Sequence, residues 1–203
     1  TTKGNVLIEN IKTPTEPADT LMNSLYPNRN RIAHMDFNQY HPKKSLHKNI
    51  PLTDAVNKAL NSKGEIKIDY SYAADKGEIK YLKNILTKEG VLIQTRKNEG
   101  NIHYYQFETQ TEIYKDSFPA LYSMIKEVKK IQSSKIKVSK IIEKYYDSPF
   151  GLGPYSLSLF LACVIKIYGD NIRLVKDETA VGNIEVNDFN IINELVNNKL
   201  PNA

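Results

Sequence analysis

Residues 77–108, GEIKYLKNILTKEGVLIQTRKNEGNIHYYQFE, read as one helix followed at once by a two-stranded hairpin. At about 100° per residue, Ile79, Leu82 and Leu86 share one side of a helix over 78–89, flanked by Tyr81 and Ile85. Lys76, Lys80, Lys83, Asn84 and Thr87 fall on the other side. Gly90 supplies the backbone freedom that a helix C-terminus uses. Residues 91–95 and 102–107 then read as strands around a polar tip at 97–101. A helix that runs into a hairpin with a basic tip is the core of a winged helix.

Upstream, Thr53 is placed to cap a helix whose stripe is Ala55, Val56, Ala59 and Leu60, ending near Ser62-Lys63-Gly64. Residues 65–70 alternate and read as a strand. Residues 51–115 thus predict a first module in the order helix, strand, helix, strand, strand. The second helix usual in a winged helix is short or absent between Tyr70 and Gly77.

Downstream, residues 116–132 predict a connecting helix, capped by Ser117, with Pro119 in its first turn. Its inward stripe is Leu121, Met124, Ile125 and Val128. Residues 133–203 predict a second module. A helix over 138–146 turns Ile141, Ile142 and Tyr145 inward, and the loop 148–154 is stiffened by Pro149 and Pro154. A helix from Tyr155 to Tyr168 follows, ended by Gly169. A hairpin at 172–176 and 181–186 turns at Asp177-Glu178-Thr179. A last helix, capped by Asn187 or Asp188, carries Phe189, Ile192, Leu195 and Val196. The expected fold is α+β: two tandem winged-helix-like modules joined by a helix. An irregular N-terminal arm, residues 1–50, precedes them. Within it, 5–8 read as a short strand, 20–26 as a helix ended by Pro27, and 28–48 as a basic lead-in.

The 28 Lys and Arg outnumber 23 Asp and Glu, which points toward nucleic acid, but only Arg29, Arg31, Arg96 and Arg173 are Arg. Arg is the usual reader of phosphate and guanine. The abundance of Lys, Asn and Ile is what an AT-rich genome produces whatever the function. No run of 18 apolar residues occurs, so no membrane span is expected. A single cysteine, Cys163, excludes an internal disulfide and a Cys-based zinc site, and fits a reducing cytoplasm. The chain opens Thr1-Thr2-Lys3 without Met and reads as a piece of a longer protein.

The chemistry predicted for the first module is contact with double-stranded DNA. Lys80, Lys83, Asn84 and Thr87 would face the major groove, and Arg96 and Lys97 would sit on the wing. Against this, any surface helix has a polar face, and many winged helices serve only protein contacts. The helix from Tyr155 to Tyr168 has Lys166 as its one charge and is apolar all round, so it reads as a buried core helix. The alternative is that part of it meets a partner domain. A Mg²⁺ nuclease pattern is visible in Pro51, Asp54, Glu65 and Lys67, with two carboxylates for the metal and a Lys for the water. Gly-Glu-Ile-Lys recurs at 77–80, however, so the motif arises readily from composition. His34, Asp36, His41 and His47 match no metal-ligand spacing. The two glycines of Gly151-Leu152-Gly153 precede a helix, but Pro154 removes an N–H and no Gly-Lys-Ser/Thr occurs, so no nucleotide site is expected. His103 reads as surface packing beside Tyr104 and Tyr105, and Cys163 as an inert core thiol. The tyrosines around the first hairpin could stack on single-stranded bases, although strand propensity explains them equally. No cofactor is expected.

Residues 140–161, KIIEKYYDSPFGLGPYSLSLFL, resemble a region of very large bacterial P-loop ATPases tied to phage-defence systems. The likeness lies in the Pro149-Phe150-Gly151-Leu152 turn and the hydrophobic helix after it. It covers about a tenth of the chain and implies a non-catalytic winged-helix region of a larger ATPase. It carries over no catalytic residue. The leading expectation is therefore a non-catalytic DNA-associated module. A protein-interaction or scaffold segment is the rival, and the nuclease a distant third.

Overall fold

The computed structural model describes residues 16–32, 37, 49–130, 138–168, 174–175 and 183–184. The expected strand at 5–8, the group His34, Asp36, His41 and His47, the turn at 177–179 and the last helix lie outside these residues.

The chain is α+β. Helix α1 spans Glu16–Leu25 and α2 spans Ile50–Asn61. Asn49, not Thr53, caps α2: its Oδ1 accepts from the Leu52 amide at 3.1 Å. Pro51 falls in the first turn, where a missing N–H costs nothing. The helix therefore begins four residues earlier than a cap at Thr53 would allow. The Thr53 hydroxyl instead donates to the Asn49 carbonyl.

Strand β1 (Ile66–Asp69) follows, and turns cover the expected gap before Gly77. The helix at Glu78–Thr87 is π-helical rather than α-helical. Its last turn shows the wide i→i+5 bonding: the Lys88 amide donates to the Lys83 carbonyl, and Val91 to Leu86. The wider turn allows Tyr81 to join Leu82, Ile85 and Leu86 in the core. Gly90, at φ +78°, then reverses the chain into β2 (Leu92–Gln94) and β3 (Ile102–Phe107).

The three strands form one antiparallel sheet in the order β1-β3-β2. The register places Ile66 opposite Tyr105 and Ile68 opposite His103, on the side of the helices. Lys67 opposite Tyr104 lies on the other side. A 3-10 turn at Thr111–Tyr114 leads to α3 (Pro119–Lys130), which buries Ala120, Leu121, Met124 and Ile125. The Ser117 hydroxyl donates to Glu89 at 2.6 Å, and α3 begins two residues further on, at Pro119. Helix α4 (Val138–Tyr146) buries Ile142, Tyr145 and Tyr146, and α5 spans Pro154–Tyr168. Strands β4 (Leu174–Val175) and β5 (Asn183–Ile184) pair antiparallel, as the second hairpin requires.

Helix α5 is the centre of the molecule. It packs against α2, α3, α4 and β3, and every residue from Pro154 to Val164 is buried. Its serines are satisfied within the chain: Ser158 donates to the Pro154 carbonyl and Ser156 to that of Phe37. Residues 154–164 are thus covered by the described part of the chain itself, while Ile165 to Tyr168 are half-buried. Burial also pushes the Cys163 thiol far up, so it stays protonated.

The N-terminal segment is tied into the same core. Phe37 is fully buried among Tyr81, Phe118 and Phe160, with ring centroids 5.6–6.5 Å away. The Tyr26 ring lies against Gly151, which sits at φ +61° in the Pro149-Phe150-Gly151 turn. Asn28 donates its amide to the Pro149 carbonyl, and Arg31 its amide to that of Ser117. The loop at 148–154 therefore holds the N-terminal segment as well as leading into α5. Among the described residues no helix is long and apolar enough to cross a membrane.

Candidate nucleic-acid interface

The six residues expected to meet DNA divide between the π-helix and the hairpin tip. Asn84 and Lys97 are exposed. Lys80 is half-buried, its ammonium 5.7 Å from the Tyr81 ring centroid. Lys83 is half-buried and lies over the Tyr70 ring at 4.1 Å. Tyr70 in turn stacks on His103 at 3.9 Å and shares a hydrogen bond with the Tyr105 hydroxyl. His103 is thus packed between aromatic rings on the helix side of the sheet. Burial and the Tyr105 hydroxyl together push the Tyr70 phenol up, so it stays neutral.

Thr87 does not present its hydroxyl outward. Its Oγ1 is sealed from solvent and has no hydrogen-bond partner. The residue as a whole is half-buried, so only its hydroxyl is withdrawn from the polar face.

Arg96 is exposed, but two of its three guanidinium nitrogens are engaged. Its Nε donates to Glu65 at 3.1 Å and its Nη1 to Glu99 at 2.8 Å. The guanidinium lies 3.5 Å from the Tyr104 ring centroid. Tyr104 donates to the other Glu99 oxygen, and Thr95 donates to the other Glu65 oxygen. The Tyr104 hydroxyl, helped by nearby Arg96, holds the Glu99 carboxyl below its ordinary range. The same bond to Glu99 raises the Tyr104 phenol. Although Tyr104 points to the outer side of the sheet, this cover leaves it 2% exposed.

Glu65, Glu99 and Tyr104 were not among the expected interface residues. Two signals pointed to them. The strand alternation places Tyr104 with Lys67 away from the helices. The spacing of Arg96 and Glu99 is that of a turn closed on itself. The pairing with Glu65, 31 positions away, has no local signal.

The carboxylates of the nuclease pattern do not converge. Asp54 lines a shallow polar cleft of about 340 Å³ with Asn57, Tyr72, Lys76, Gly77 and Glu78. Both Glu65 oxygens are taken at the wing, and Lys67 lies over Tyr104. Among the described residues no three His, Cys, Asp or Glu side chains are grouped to hold a metal ion.

Comparison with protein-family models, with curated proteins and with solved structures returned no match for this chain.

Proposed function

We propose that this chain is a non-catalytic winged-helix module that associates with duplex DNA, chiefly through phosphate contacts. The carrying observation is topological. The sheet order β1-β3-β2, with the 78–87 helix directly before the β2–β3 hairpin, is the arrangement a winged helix presents to a groove. Lys80, Lys83 and Lys97 supply the positive charge, and Asn84 is the one exposed side chain on the helix suited to a base edge. Withdrawal of Thr87 and engagement of Arg96 reduce the base-reading set. The binding is then weakly sequence-dependent and strongly salt-dependent.

We read α4, α5 and the β4–β5 pair as a second winged-helix-like unit, supported by two helices leading to a hairpin as in the first, which adds β1 between its helices. The likeness at 140–161 supports a place in a larger ATP-dependent bacterial protein of the cytoplasm. A mobility shift of a short mixed-sequence duplex, strong at low salt and lost as salt rises, is the expected result. No shift at low salt contradicts DNA association.

One observation favours a second reading, that of a protein-interaction segment. The hairpin tip is closed on itself by Arg96, Glu65 and Glu99, and a rigid, nearly neutral hairpin suits a protein partner as well as a phosphate.

A further inference from the structure

Three features lie beside the expected contacts: the cleft at Asp54, the N-terminal segment across Gly151, and the carboxylate pair on Arg96. The last is the most completely defined, and it changes what the wing can do.

A wing arginine meets phosphate through its guanidinium N–H fork. Here Nε and Nη1 already hold carboxylates, at 3.1 and 2.8 Å, and the flat face is laid on Tyr104. Nη2 makes no hydrogen bond among the described residues. Each carboxylate is itself anchored: Glu65 by Thr95 and Glu99 by Tyr104. The two acids therefore stand where phosphate oxygens would bind.

We propose that Glu65 and Glu99 mask Arg96, so that this arginine contributes little to duplex binding until that carboxylate clamp is released. The inference rests on the DNA-associated reading above and names the control on it. The clamp is built to be displaced rather than permanent. The Arg96, Glu65 and Glu99 side chains are 46%, 36% and 59% exposed. Solvent-exposed ion pairs contribute little each and are screened by salt. A partner offering several closely spaced phosphates, or neutralisation of the two acids, frees the guanidinium without unfolding the hairpin.

The test is a four-protein cycle on a short mixed-sequence DNA duplex: wild type, Arg96→Ala, Glu65→Gln with Glu99→Gln, and the triple variant. Masking predicts that Arg96→Ala changes wild-type affinity less than two-fold. The double Gln variant should bind roughly five-fold tighter at low salt, given the strength of exposed pairs. Its salt dependence should steepen by about 0.9, the value of one added phosphate contact. Arg96→Ala should then erase that gain, which separates release of Arg96 from a mere change in net charge. Glu99→Gln alone, on the exposed tip, should give part of the gain if the pair of changes disturbs the fold. Equal effects of Arg96→Ala in both backgrounds overturn masking while leaving DNA association intact. Absence of binding by all four proteins overturns both.

Discussion

Gly77, at the start of the π-helix, lies directly against the backbone of α2 at Pro51. A Cβ there would collide with the Pro51 carbonyl oxygen and stand 2.8 Å from the Ala55 nitrogen. This contact sets how closely the 78–87 helix and α2 approach, and hence where Lys80, Lys83 and Asn84 project.

Gly77→Ala puts two effects in opposition. Ala is favoured over Gly in a helix by about 1 kcal/mol. The clash is with backbone, which cannot rotate away, and overpacking costs about 1–3 kcal/mol. The clash wins. Urea denaturation should show a measurable net loss, up to about 2 kcal/mol, whereas an unchanged midpoint would mean the helices do not approach this closely.

Phe37 tests whether the N-terminal segment belongs to the core. Its ring is fully buried between the π-helix, α3 and α5. Phe37→Ala should cost about 3–5 kcal/mol, as a large cavity in a packed interior does. A loss below about 1 kcal/mol would show that residue 37 lies outside the core.

Tyr26 and Gly151 should behave as a coupled pair. Gly151 is at φ +61°, and an added Cβ would run into the Tyr26 ring. Gly151→Ala carries both the left-handed backbone penalty, about 1–2 kcal/mol, and the clash. In a Tyr26→Ala background only the backbone penalty remains. A double-mutant cycle should therefore show clear non-additivity, and additive losses would contradict the contact.

The clamp at the wing predicts a pH effect of definite sign. Glu99 is held below its ordinary value of 4.5, first by the Tyr104 hydroxyl and then by Arg96. A depressed folded value gives stability that is full above 4.5 and is lost as pH falls through the folded value. Tyr104→Phe removes the leading cause. Thermal melts of the two proteins should converge on acidification below 4.5, the wild type losing its advantage.

Much of the architecture was legible in the sequence, because burial leaves a periodic trace. The apolar helix at Tyr155–Tyr168 was expected to be central, and α5 is. Alternation at 65–70 marked β1, the return from the polar tip marked β3, and Gly90 marked the turn between the helix and the hairpin. The cap of α2 was misplaced because Asn49 and Thr53 are both good capping residues, and Pro51 decides between them only once the helix starts at Ile50. The interface was less legible. A wheel drawn for an α-helix sends Thr87 outward, but in the π-helical turn its Oγ1 is sealed from solvent. Arg96 looked available because its partner Glu65 is distant in sequence and reaches it only through the β1-β3-β2 pairing. Phe37 gave no signal, since a lone aromatic in a basic segment has no period.

Charge reversal on the helix tests the central claim most directly. Lys80→Glu with Lys83→Glu replaces two positive charges by two negative ones on the face assigned to the groove. With a short DNA duplex at low salt, wild type should shift its mobility and the double variant, still folded, should not. Equal binding by the two folded proteins would contradict the assignment of this helix to DNA.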